Sequence, residues 1–270
     1  MEFFVELEKI LQITNLEEKL AKSKQFIDLY ENNKFIFNHD YDNQIPLKPS
    51  YESFCKIVPA QRVPRRGFGT DIKKAHLIHA IIHIEYSAID LAFDACYRFR
   101  NLPKKFYDDW IEVAKDEIRH FEMMDTLLKE LGYKYGDFPV HNSLIQAAQK
   151  TPTLIERMAI VPRWLEANGL DKNEQIIHKL QNYKNDKMAN KMIESLKVIL
   201  EEEIPHVKKG DYWFKWACKK ENKDVIKTYF DIVNKMYKNI QKPYLNIQAR
   251  KEAGFSCDEL QLLAKEKIEC

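Results

Sequence analysis

Glycine is scarce in this chain, with seven in 270 residues. So few flexible positions exclude a turn-rich sheet architecture, and the abundance of Lys, Glu, Leu, Ile and Ala favours long helices. Charge of one sign is also missing: 43 basic and 41 acidic side chains leave a formal net charge of +2. No bulk field calls for nucleic acid or a membrane, and only a local patch stays open. CxxC pairs are absent, and Cys55, Cys96, Cys218, Cys257 and Cys270 are odd in number and widely spaced. That speaks against a disulfide framework or a cysteine-built zinc or rubredoxin site, and it makes a reducing cytoplasm the expected setting. The opening MEFFVELEKI carries acids where a signal peptide needs a basic flank, and no apolar run nears the roughly 20 residues that span a bilayer. No membrane partner is expected.

What is present is 45% apolar and 12% aromatic residues, enough for a real core. Helical spacing runs from Phe3 to about Tyr30; Asn32 to Arg66 is then irregular and broken by Pro46, Pro49, Pro59 and Pro64. Four long helices are expected next. The first runs from an N-cap near Asp71 to about Phe99, and the second from Lys104 to Leu131. The third starts at Thr151-Pro152, breaks near Gly169 and Asp171 and ends about Tyr183; the fourth spans Asp186 to Val207. A connection from Tyr133 to Thr151 joins the second to the third, and shorter helices cover Asn222 to Ile240 and Cys257 to Ile268. The expected organisation is all-α: residues 1–70 an N-terminal helix and extended arm, 71–210 a four-helix bundle, 211–270 extra C-terminal helices of the same domain.

The seams of these helices carry the chemistry. The second reads Trp110, Ala114, Glu117, Phe121, Met124, Leu128, Leu131, and the first Ile78, Ile82, Glu85, Ile89, Ala92, Cys96. The fourth reads Met192, Leu196, Ile199, Glu203, His206, and the third Ile155, Ala159, Pro162, Glu166, with Glu156 as a competitor. Steps of three and four keep each seam on one face, so each helix turns one carboxylate inward. An uncompensated buried carboxylate costs several kcal/mol, so four demand counter-charge. His120 follows Glu117, and His206 follows Glu203, by three residues, one turn on along the same face. Two Glu-x-x-His helices and two single-Glu helices form the ligand set of di-iron and di-manganese carboxylate bundles, and four carboxylates neutralise two divalent cations. Heights agree: Glu85 lies 16 residues before Asn101 and Glu117 lies 16 after it, each about 24 Å along its helix. Around Lys184 the separations are 18 for Glu166 and 19 for Glu203.

Asp116, Glu202, Arg119 and His83 are expected around these ligands, where acids can fix a histidine tautomer. His76, His79 and His83 share a face roughly opposite Glu85 and are expected to be structural or supporting rather than ligating. Tyr86 and Tyr97 read as packing residues, and Arg157 and Arg163 as partners of core or rim acids. Pro205 should kink or bulge its helix beside His206. Arg62, Arg65 and Arg66 form the one compact basic cluster, a solvated loop or a phosphate contact.

KDEIRHF resembles the DExRH signature of di-iron carboxylate enzymes. VPRRGFGT, HAIIHIEYSAIDLAFDA, ERMAIVPRWLEANGLD and EEEIPHVKKGDYWF together resemble a bacterial family of uncharacterised ferritin-like proteins, the domain of unknown function 455. The likeness covers nearly the whole chain, GDFPVH and NIQARKEAGF included. That family is similar, more distantly, to the di-iron tRNA hydroxylase acting on isopentenyl-adenosine. The resemblance implies a ferritin-like bundle with Glu85, Glu117, His120, Glu166, Glu203 and His206 as ligands; Pro205 departs from the pattern.

The expected function is therefore that of a di-iron oxidoreductase that activates dioxygen and hydroxylates or oxidises an organic substrate, a small molecule or a modified nucleoside in tRNA. Its cofactor would be two Fe ions, with Mn open. An external electron donor is required, since no CxxC electron-transfer module is present, and a homodimer is left open. The rivals are an iron-handling ferroxidase, a non-enzymatic helical scaffold, and an RNA-binding module using Arg62 to Arg66.

Overall fold

The structure, a computed structural model, describes residues 1–42 and 45–269. Asn43 and Gln44, in the stretch read as irregular, and Cys270, one of the five cysteines, lie outside the described residues. Among the described residues the chain is helical, with isolated β-bridges and no strand. No helix among the described residues is long and apolar enough to cross a membrane. The chain divides into two compact units, Met1–Gln146 and the residues from Ala147 onward.

The first unit opens on α1 (Phe3–Gln12) and α2 (Leu16–Glu31), where the periodicity alone suggested one run. Asn15 separates them because its side chain accepts the Glu18 N–H at 2.9 Å and starts a new helix. α3 (Asp71–Arg98) and α4 (Lys104–Glu130) are the main packed pair, and α1 lies on α3. Asn101, at φ 55°, allows the short reversal between them. Asp71 proves to be the first residue of α3, with Thr70 at the cap position, and it pairs with Lys74 at 2.9 Å. Fully buried Lys19 ties α2 to α3 through Asp90, 2.6 Å away, and also donates to the Ile10 carbonyl at 2.8 Å. Phe3, stacked 4.3 Å from Phe37, anchors an aromatic cluster with Phe4, Phe26 and Tyr107. A short helix, α5 (Ser143–Gln149), occupies part of the expected connection, and the boundary between the units falls inside it.

In the second unit α6 (Leu154–Ile160) starts at a capping box rather than at Thr151-Pro152. Thr153 Oγ1 accepts the Glu156 N–H and the Glu156 carboxylate accepts the Thr153 N–H. A π-helical turn, Val161–Glu166, leads directly into α7 (Ala167–Leu180), so the break expected at Gly169 does not occur. Pro162 explains the turn: without an N–H it cannot bond the Met158 carbonyl, and the helix register slips. α8 (Lys187–Lys220) starts on the expected N-cap, Asp186, and continues unbroken through Pro205 and well past Val207. The bulge expected at Pro205 therefore lies at Pro162 instead. Gly210 on α8 is where the two meet, since a Cβ there would stand 2.2 Å from Pro162 Cβ.

Three shorter helices complete this unit: α9 (Val225–Met236), α10 (Ile247–Glu252) and α11 (Cys257–Leu263). The first and last are shorter than the periodicity suggested. Their packing centres on Arg163, fully buried between Asp211 at 2.8 Å and Glu259 at 2.7 Å and stacked 4.3 Å from the Tyr229 ring. Arg250, equally buried, forks onto both oxygens of Asp171 at 2.9 and 2.7 Å.

Candidate metal centre

On α3 the seam residues Ile78, Ile82, Ile89, Ala92 and Cys96 are buried, as are Trp110, Ala114, Phe121, Met124 and Leu128 on α4. Within this apolar layer sit Glu85, at 4% exposure, and Glu117 and His120, both at 0%. His120 Nδ1 stands 3.5 Å from a Glu85 oxygen and 3.6 Å from a Glu117 oxygen. One donor atom from each of the three lies within 4.8 Å of the other two. Seam position explains their burial, and the i to i+3 step of one helical turn brings His120 beside Glu117.

The electrostatics of this trio are those of a site short of positive charge. Burial, and then the neighbouring Glu117, hold the Glu85 carboxyl well above the usual range. Burial alone would lower the His120 imidazole, but the carboxylates of Glu117 and Glu85 beside it outweigh that and push the imidazole up. Both shifts favour protons on a cluster that desolvation makes costly to leave anionic. A divalent cation supplies the same positive charge, and two carboxylates with one imidazole suit a hard or borderline ion such as Fe(II) or Mn(II). The residues therefore fit a metal on the chemistry of their donors.

In the second unit, Glu203 and His206 on α8 are buried at 7% and 0% exposure, with Nδ1 of the histidine 3.8 Å from the glutamate. This repeats the Glu-x-x-His arrangement of α4. Met192, Leu196 and Ile199, their seam neighbours, are buried too. Glu166 ends the π-helical turn and is half-buried. Its competitor Glu156 is committed to the Thr153 capping box.

The residues expected around the ligands have defined places. Arg119 donates to Asp116 at 3.0 Å on the outer side of α4, and Glu202 is half-buried on α8. His83 is buried with both ring nitrogens engaged. The His141 carbonyl, 2.7 Å from Nε2, can only accept, so Nδ1 is left to accept the Tyr135 hydroxyl at 2.8 Å. Burial lowers this imidazole to about 4, in keeping with a neutral, structural ring. Tyr135 and His141 lie more than 50 residues from His83, at separations of 52 and 58, so no spacing rule could have found them. Arg157 bonds Thr151 Oγ1 at 3.1 Å and the Ala148 carbonyl at 2.9 Å, while Arg163 meets the acids expected of it. Arg62, Arg65 and Arg66 are exposed on the loop before α3.

Fold and site thus define an all-helical protein with a buried Glu/His cluster able to hold a metal ion. Residues 12–261 match the family described as "Protein of unknown function (DUF455)", and the chain belongs to that family. It is similar to a Haemophilus influenzae protein named "Uncharacterized protein", 36% identical over 273 residues that cover 96% of this chain and 92% of the relative. No solved structure matches.

Proposed function

We propose that this chain is a ferritin-like di-metal carboxylate protein of the cytoplasm and that it works as a non-haem di-iron oxidoreductase. The observation that carries the reading is the burial of Glu85, Glu117 and His120 with donor atoms within 4.8 Å inside an apolar seam. A group so costly to bury calls for a cation to neutralise it. The ligand set proposed is Glu85, Glu117, His120, Glu166, Glu203 and His206, whose four carboxylates balance two divalent ions. Bound iron would supply dioxygen activation. The chain's own residues would hold the ions and keep water out: the aliphatic seam around Glu85 and Glu117 forms the dry wall, and Asp116, held by Arg119, lies on the flank of the ligand helix. Electrons would come from a separate donor, because the sequence holds no CxxC electron-transfer motif.

The test is elemental analysis of protein purified without metal-affinity resin and loaded anaerobically with Fe(II), beside Glu117→Gln. Two Fe or Mn per chain, lost in the variant, supports the site; oxygen consumption that needs an organic substrate then supports the oxidoreductase. Iron oxidation without substrate in a large hollow oligomer would assign iron handling instead. A chain that takes up no metal sinks the proposal.

A further inference from the structure

Nine arginines are present, and six have partners within the protein. Arg98 pairs with Asp94, Arg119 with Asp116, Arg163 with Asp211 and Glu259, and Arg250 with Asp171. Arg100 donates to the Tyr41 carbonyl at 3.2 Å, and Arg157 to Thr151 and Ala148. The other three, Arg62, Arg65 and Arg66, fall within five residues and have no hydrogen-bond or ion-pair partner for their guanidinium groups among the described residues. In a chain with 41 acidic side chains available, leaving one short loop unpaired concentrates positive charge at a single place.

That loop is exposed, but its backbone is held. The Val58 N–H bonds the Val140 carbonyl at 2.8 Å, and the Arg62 N–H closes a tight turn on the Pro59 carbonyl at 2.8 Å. His76 Nδ1 lies 3.1 Å from the Arg65 carbonyl, and the Gly67 N–H donates to the Lys73 carbonyl at 3.2 Å. Pro59 and Pro64 further restrict it. Beside it runs a cleft lined by Arg66, His76, His79, Phe138 and His141. Restricting the backbone in advance lowers the entropy cost of binding, and guanidinium forks match tetrahedral oxyanions in a bidentate way.

We propose that Arg62, Arg65 and Arg66 form a phosphate-binding loop. Its ligand is the phosphate oxyanion, from a free phosphorylated compound or from the backbone of a nucleic acid strand. This site is independent of the metal reading and stands whether or not Glu85 and Glu117 bind iron.

The test uses the full chain at low salt, with inorganic pyrophosphate titrated by calorimetry and a labelled single-stranded oligonucleotide followed by anisotropy. The variants are Arg65→Gln/Arg66→Gln and a charge-matched control, Lys172→Gln/Lys187→Gln, at exposed lysines of the second unit. Loss of a charge-assisted bond should weaken binding roughly tenfold per arginine, with thermal melts unchanged because the side chains are exposed. Saturable pyrophosphate binding lost only in the arginine variant, with the oligonucleotide no tighter, assigns a small phosphorylated ligand. Tighter oligonucleotide binding, with a log–log salt slope of about −2 that flattens by about 1.4 in the variant, assigns a strand backbone. The proposal is overturned if neither probe binds, or if the lysine control weakens binding as much as the arginine variant.

Discussion

Gly210 and His79 show how much a single residue carries here. With Pro162 Cβ only 2.2 Å from where a Gly210 side chain would begin, Gly210→Ala must push α8 and the π-helical turn apart. A loss of about 1 to 3 kcal/mol is expected, read as a lower urea midpoint at constant slope. His79 Nε2 accepts the Gly136 N–H at 3.0 Å, and burial lowers this imidazole to about 4. The unfolded ring takes its proton near 6.5, so between 6.5 and 4 the unfolded state binds more protons than the folded one. Stability from this residue is present above 6.5 and lost as the pH falls towards 4, by up to about 2 kcal/mol between pH 7 and 5. His79→Gln, which keeps an acceptor that cannot be protonated, should flatten that loss in denaturant melts at the two pH values.

At the scale of helices, α3 and α4 were legible because their stripes of apolar residues keep one period for more than twenty residues, and the intruding Glu85 and Glu117 stand out against it. The same stripes located Glu203 and His206. Elsewhere local rules competed with tertiary ones. Gly169 reads as a helix breaker, yet α7 runs through it, and α8 runs on past Val207 through Gly210, the gap into which Pro162 fits. The π-helical turn shifts register by a single residue, too little to disturb a seam pattern, so its site could not be told from that of Pro205. Which end of Thr151-Pro152-Thr153 caps α6 depended on where Glu156 would reach. Thr153→Ala, removing that box, should cost about 1 kcal/mol by chemical denaturation.

For the molecule as a whole, a resident metal should appear as stability. A ligand that binds only the folded chain, present at 100 times its dissociation constant, adds about 2.7 kcal/mol, so chelation should lower the melting temperature of the wild type. Glu117→Gln should melt at the same temperature with and without metal, and close to or above the chelated wild type, since one buried carboxylate has been relieved. An unchanged wild-type melt after complete, verified metal removal would contradict this. The ion triad in the second unit bears on a different matter, the order in which the chain can fold during synthesis. Arg163 leaves the ribosome 48 residues ahead of Asp211 and 96 ahead of Glu259, and taking its guanidinium out of water before both carboxylates exist leaves a buried charge short of partners, which is costly. Burial of the π-helical turn is therefore favoured once α11 is made, and the closing contacts join distant parts of the chain.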